Sequence, residues 1–173
     1  MKNSIIPLTE KVIKGLKAGD KLLLSGPVYT ARDQAHKRLV EAINKNKKTP
    51  IDLKGAVIYY CGPTPAAKGK VIGSAGPTTS RRMDEFTPLL LKKGVFAMIG
   101  KGGRSKEVRE AIKKYKAIYF VTYAGCGALL SKYVKKNKPA GYRDLGPEAI
   151  NKLEVRDFPI IVAIDSTGRS IYD

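Results

Sequence analysis

The chain has 173 residues, 33 of them Lys or Arg against 15 Asp or Glu, for a formal charge of +18, with one His, two Cys and no Trp. That length suits a single domain over residues 1–173, and a chain of this size buries about 70% of the surface it exposes when unfolded. One His and two isolated Cys are too few for a zinc ribbon, a His triad or an iron–sulfur cluster held within the chain, and they do not make a disulfide scaffold.

Residues 4–8 read as a short strand or extended lead-in. Thr9 is placed to cap a short helix with Val12, Ile13 and Leu16 on one face, weakened by Gly15 and ended by Gly19. Residues 21–25 form a strand that Gly26-Pro27 closes. Thr30 then opens a helix to about Asn46: Thr30 and Asp33 have capping-box spacing, with Asp in place of Glu, and Ala35, Leu39, Ala42 and Ile43 give an apolar stripe. His36 falls in this helix beside Lys37 and Arg38 and reads as a surface or interface residue. Residues 56–61 are an apolar strand followed by Gly-Pro-Thr-Pro, and residues 71–75 lead into Gly76-Pro77-Thr78-Thr79-Ser80-Arg81-Arg82 and a helix interrupted at Thr87-Pro88. After a strand at 95–99 come a glycine loop at 100–103 and a helix capped by Ser105. A strand at 117–122 and a helix from Gly125-Cys126-Gly127 to about Val134 follow, then a loop at 135–146. Strands are expected at 153–158, 160–165 and 170–172. Strands alternate with helices up to residue 134 and dominate afterwards, which is an α/β class with a mixed sheet.

The longest stretch without a charge, residues 117–131, is shorter than the ~20 residues a bilayer span needs, and the first residues carry no signal-peptide core, so a cytoplasmic location is expected. The excess of cations admits nucleic acid, an anionic substrate, an acidic partner or a lysine-rich surface of the thermophile kind. A nucleic-acid module would gather cations and exposed aromatics on one face, whereas here the lysines are scattered and the tyrosines sit in strand-like runs. Neither a Walker loop nor a Gly-x-Gly-x-x-Gly occurs.

Cations do cluster at three expected strand–loop–helix junctions: Arg32 after Thr30, Arg81 and Arg82 after Thr78-Thr79, and Lys101 and Arg104 around the glycine loop. A helix N-terminus already carries partial positive charge, so cations stacked there make anion sites. Two arginine forks on different loops suit the two ends of a dicarboxylate, with Thr78 and Thr79 adding hydroxyls and Gly76 letting the backbone approach closely. Cys126, between two glycines, reads as a packed small residue.

Four stretches carry a resemblance. Residues 25–38, with Thr30-Ala31-Arg32-Asp33-Gln34-Ala35-His36, residues 76–84 (Gly-Pro-Thr-Thr-Ser-Arg-Arg-Met-Asp), Gly100-Lys101-Gly102 and Tyr60-Cys61-Gly62-Pro63-Thr64 are similar, in order and spacing, to motifs of class I fumarate hydratases. The likeness is to their C-terminal part, a separate β subunit in two-subunit forms, and the L-tartrate dehydratase β subunit is a close relative. It implies a swivelling β/β/α domain and a partner α subunit that carries a [4Fe-4S] cluster, in a hetero-oligomer acting on a C4 dicarboxylate. It also implies that Arg32, Arg82 and Lys101 clamp substrate, that Thr79 holds a carboxylate, and that Thr78 handles the C3 proton. Arg81 stands where a small residue is common.

Overall fold

The structure, a computed structural model, describes residues 2–173. Its elements in chain order are β1 (Lys2–Ile5), α1 (Glu10–Gly15), β2 (Lys21–Thr30), α2 (Asp33–Asn44), β3 (Val57–Tyr59), α3 (Thr87–Lys92), β4 (Ala97–Gly100), α4 (Lys106–Tyr115), β5 (Ile118–Val121), α5 (Gly127–Leu130), β6 (Val134–Gly141) and β7 (Ile150–Ile164). Short 3-10 turns lie at Ser80–Met83, Ser131–Tyr133 and Arg143–Glu148. The strands form one sheet in the order β1-β2-β3-β4-β5-β7-β6. Because β2 also pairs with β7, strands β2, β3, β4, β5 and β7 close a ring. The pairings from β1 through β5 are parallel, and β7 is antiparallel to β2, β5 and β6. The fold is α/β with a mixed sheet, as the alternation of elements implies.

The ring explains the apolar runs. Successive side chains of a strand point to opposite faces, and a strand buried on both faces carries no polar alternation. Val57, Tyr59 and Cys61 join one core with Ala97, Ile99, Ile118, Phe120, Leu22, Leu24, Leu153 and Val162, inside the ring. The intervening Ile58, Tyr60, Met98, Tyr119 and Val121 join a second core with Ala35 and Leu39 of α2, Leu90 and Leu91 of α3, and Val108 and Ile112 of α4. The helices therefore cover the outer face of β3, β4 and β5.

Several expectations change. Gly26-Pro27 does not end a strand: β2 runs on to Thr30 through a bulge between Leu24 and Gly26. Gly26 has φ 123, and a Cβ there would lie 2.9 Å from that of Ile6. Pro27 falls between Ser25, the last residue paired with β1, and Tyr29, the first paired with β3, where a ladder asks least of its missing N–H. Thr30 does not cap α2. It is the last residue of β2, and its hydroxyl bonds to the Ala149 carbonyl (3.3 Å) and accepts from the Asn151 N–H (3.0 Å). The expected loop at 135–146 is the edge strand β6 plus a 3-10 turn, and the two strands expected at 153–165 are one 15-residue strand, β7. The strand expected at 170–172 is a single bridge, Ile164 to Ser170. No helix among the described residues is long and apolar enough to cross a membrane.

Candidate active site

Parallel pairing puts the C-terminal ends of β2, β3 and β4 at one end of the ring, and Arg32, Gly62 and Lys101 follow those ends. The ladder continues past the strands: Ala31 N–H donates to the Tyr59 carbonyl (3.0 Å) and Tyr60 N–H to that of Ile99 (2.8 Å). The Gly76–Ser80 segment crosses these ends. Thr78 N–H donates to the Tyr60 carbonyl (2.6 Å), Ser80 N–H to that of Lys101 (3.0 Å), and Thr79 makes a parallel bridge with Lys101. Thr78, Thr79 and Lys101 are thereby fixed side by side through their backbones. Their side chains make no hydrogen bond or ion pair among the described residues.

A chain of hydroxyls supports Lys101 from below. Its N–H donates to Ser80 Oγ (3.0 Å), Ser80 Oγ lies 2.8 Å from Tyr119 Oη, and Tyr119 Oη lies 2.8 Å from the Gly102 carbonyl. Each hydroxyl has one hydrogen and the carbonyl can only accept, so Ser80 donates to Tyr119 and Tyr119 to Gly102. Both hydroxyls, Ser80 Oγ and Tyr119 Oη, are thereby satisfied. Burial raises the Tyr119 phenol, which keeps it a donor.

Arg32 is the N-cap residue of α2 and makes no side-chain cap. Its stem crosses Gly62, where a Cβ would lie 2.8 Å from Arg32 Cδ. Its Nη2 is 3.8 Å from Glu148 Oε1 and its Nε 3.7 Å from Asp33 Oδ2; that Nε is buried without a hydrogen-bond partner. Arg82 comes from the Ser80–Met83 turn and donates from Nε and Nη2 to both oxygens of Asp33 (2.9 and 2.8 Å). The two arginines thus meet across one carboxylate. The cap α2 lacks locally is supplied by Glu148, which accepts from Gln34 N–H at 2.9 Å.

Other residues lie elsewhere. Gly76 packs against the start of α5, 3.4 Å from Gly127 Cα measured to a built Cβ, so its close approach is to the chain's own backbone. Arg104 is no part of an anion loop: it is buried, donates to Asp84 (2.6 Å) and Thr87 (2.7 Å), and stacks on Tyr60 and Tyr119. Arg81 is exposed, within electrostatic reach of Glu107. Arg82 lies in a 3-10 turn rather than an α-helix, so the helix-terminus argument applies to Arg32 alone. His36 is fully buried, not a surface residue. Ser80, Tyr119, Glu148 and the pairing of Asp33 are site features that sequence reasoning missed. Only Asp33, next to Arg32, carried any local signal.

Cys61 is buried and its thiol is pushed up to about 12, while Cys126 is half-buried. No group of three or more His, Cys, Asp or Glu side chains among the described residues is placed to hold a metal ion.

Residues 2–173 match the family model described as "Fumarase C-terminus". A Methanocaldococcus jannaschii protein named "Putative L(+)-tartrate dehydratase subunit beta" is 42% identical over 96% of this chain and 88% of its own length. The Escherichia coli protein named "Fumarate hydratase class I, anaerobic" is 38% identical over 88% of this chain, and the Leishmania major protein named "Fumarate hydratase 2" is 36% identical over 89%. The chain spans 28% of the length of each of these two.

Proposed function

The chain belongs to the fumarase C-terminus family, and from that premise we propose that it is the β subunit of a hydro-lyase that adds water to, and removes it from, a C4 dicarboxylate, interconverting fumarate and (S)-malate. The observation that carries the reading is the convergence of Arg32, Arg82 and Lys101 with Thr78 and Thr79 at one end of the ring. Arginine forks match carboxylates, and two of them on separate elements suit a dianion with a carboxylate at each end.

In this reading Arg32 and Arg82 each take a carboxylate, Lys101 and Thr79 complete the clamp, and Thr78 moves the C3 proton. Fixing both carboxylates also stabilises the charge that builds up as that proton leaves. A free threonine hydroxyl is a weak base and needs an activating neighbour. Thr78 has no side-chain partner among the described residues, so the activating acid comes from the partner subunit. This chain's thiols do not fit an iron–sulfur cluster: two cysteines, one of them buried and protonated, are not a ligand set. The [4Fe-4S] cluster that the resemblance to class I fumarate hydratases implies is assigned to the α subunit in this reading, in a hetero-oligomer with the substrate between the chains.

The 42% identity to the relative named "Putative L(+)-tartrate dehydratase subunit beta" favours a second reading, with L-tartrate, which differs from malate by one hydroxyl, as the substrate. Assaying the α–β complex anaerobically on (S)-malate and L-tartrate separates the two. The fumarate reading expects kcat/KM at least ten-fold higher for malate, and the reverse ratio would overturn it.

A further inference from the structure

We propose that Asp33 is the positioning residue of the arginine clamp: it grips Arg82 by one edge of the guanidinium so that the other edge is presented to a substrate carboxylate. The inference rests on the dicarboxylate reading above and assigns a role to a residue that reading does not use. A guanidinium has two edges that bind a carboxylate bidentately, Nε with Nη2 and Nη1 with Nη2. Asp33 takes the first, at 2.9 and 2.8 Å. Nη1 makes no bond among the described residues.

Arg82 needs such a hold. Its side chain is 52% exposed and rises from a four-residue 3-10 turn. Asp33 is the more rigid partner: it opens the 12-residue helix α2, where a negative charge is favoured, and its side chain is only 24% exposed. The same Asp33 Oδ2 lies 3.7 Å from the buried, unpartnered Nε of Arg32. One carboxylate therefore faces both cations, with its hydrogen bonds going to Arg82. Were Asp33 a rival of the substrate, it would fill the fork the substrate needs; the open edge of Arg82 is what a positioning role requires.

Two measurements test this. In the chain alone, labelled with 15N, the Arg82 Nε–H exchanges slowly with water, and Asp33→Asn speeds that exchange at least ten-fold. In the α–β complex, Asp33→Asn lowers kcat/KM for the C4 dicarboxylate about ten-fold, mainly through KM, yet changes it less than two-fold when Arg82→Ala is already present. Asp33→Ser repeats the pattern and guards against an effect peculiar to the amide. Unchanged Arg82 exchange, equal losses in both backgrounds, or tighter substrate binding by Asp33→Asn would each overturn the proposal. A wild-type complex inactive on every C4 dicarboxylate would instead sink the hydro-lyase reading, while the exchange measurement still decides whether Asp33 orders Arg82.

Discussion

His36 lies beneath the clamp with no access to water. Its Nδ1 is 2.8 Å from the Arg32 carbonyl, which can only accept, so the neutral ring carries its hydrogen on Nδ1 and leaves Nε2 unpartnered. Tyr60 stands edge-on at 5.2 Å. Burial lowers the pKa to about 4; the bond to Arg32 opposes the shift, the Arg104 charge adds to it and Asp33 opposes it. Unfolded histidine titrates near 6.5, so below that pH the unfolded chain takes up a proton the folded chain refuses. Stability is full above pH 6.5 and falls as pH drops toward 4, by about 3 kcal/mol from this group. Urea denaturation at pH 7 and pH 4 should show wild type losing about 3 kcal/mol more than His36→Met, and parallel profiles would refute the assignment. In the α–β complex, Arg32→Ala and Arg82→Ala should each lower kcat/KM at least ten-fold with the fold intact, because a charge-assisted bond to substrate is worth ~1.5–3 kcal/mol. A loss below about three-fold would argue against carboxylate binding.

Among the elements, Arg104 joins several supports of the site. It ties Asp84, after the Ser80–Met83 turn, to Thr87 of α3 and to the rings of Tyr60 and Tyr119 behind β3 and β5, while Asp84 also accepts from Ser105 N–H at the start of α4. Its side chain is 0% exposed. Arg104→Ala strands the Asp84 carboxylate, and equilibrium denaturation should show a loss of about 3–5 kcal/mol; a loss under about 1 kcal/mol would mean the pair is dispensable. The strands at 57–59, 97–100 and 118–121 were legible because both their faces are buried, and Thr9 and Ser105 were legible as caps because capping is local. Whether Arg104 turns inward while Lys101, three residues earlier, stays at the site depends on Asp84 and two tyrosines from other elements. Likewise β6, Lys-rich on a sheet edge, shows no apolar alternation because an edge strand needs charge to resist pairing with other chains. Thr30 has the spacing of a cap to Asp33, but Ala149 and Asn151, far along the chain, claim its hydroxyl.

For the whole molecule, the charge of +18 resolves into unlike parts. Arg32, Arg82 and Lys101 gather at one end of the ring, Arg104 is a core residue, and most of the remainder is exposed lysine. The candidate site is left with unpartnered side chains at Thr78, Thr79 and Lys101 and with no ligand set for a metal among the described residues. In the proposed reading this end of the ring binds and orients the dicarboxylate, and the α subunit supplies the group that removes the hydroxyl. The central proposal is therefore dependence on a second chain. The most direct measurement is the anaerobic hydration of fumarate by the purified chain, alone and then mixed with the proposed iron–sulfur-loaded α subunit. The expected result is no activity from the chain alone and hydration on mixing; fumarate hydration by the chain alone, free of iron, would overturn the need for a partner.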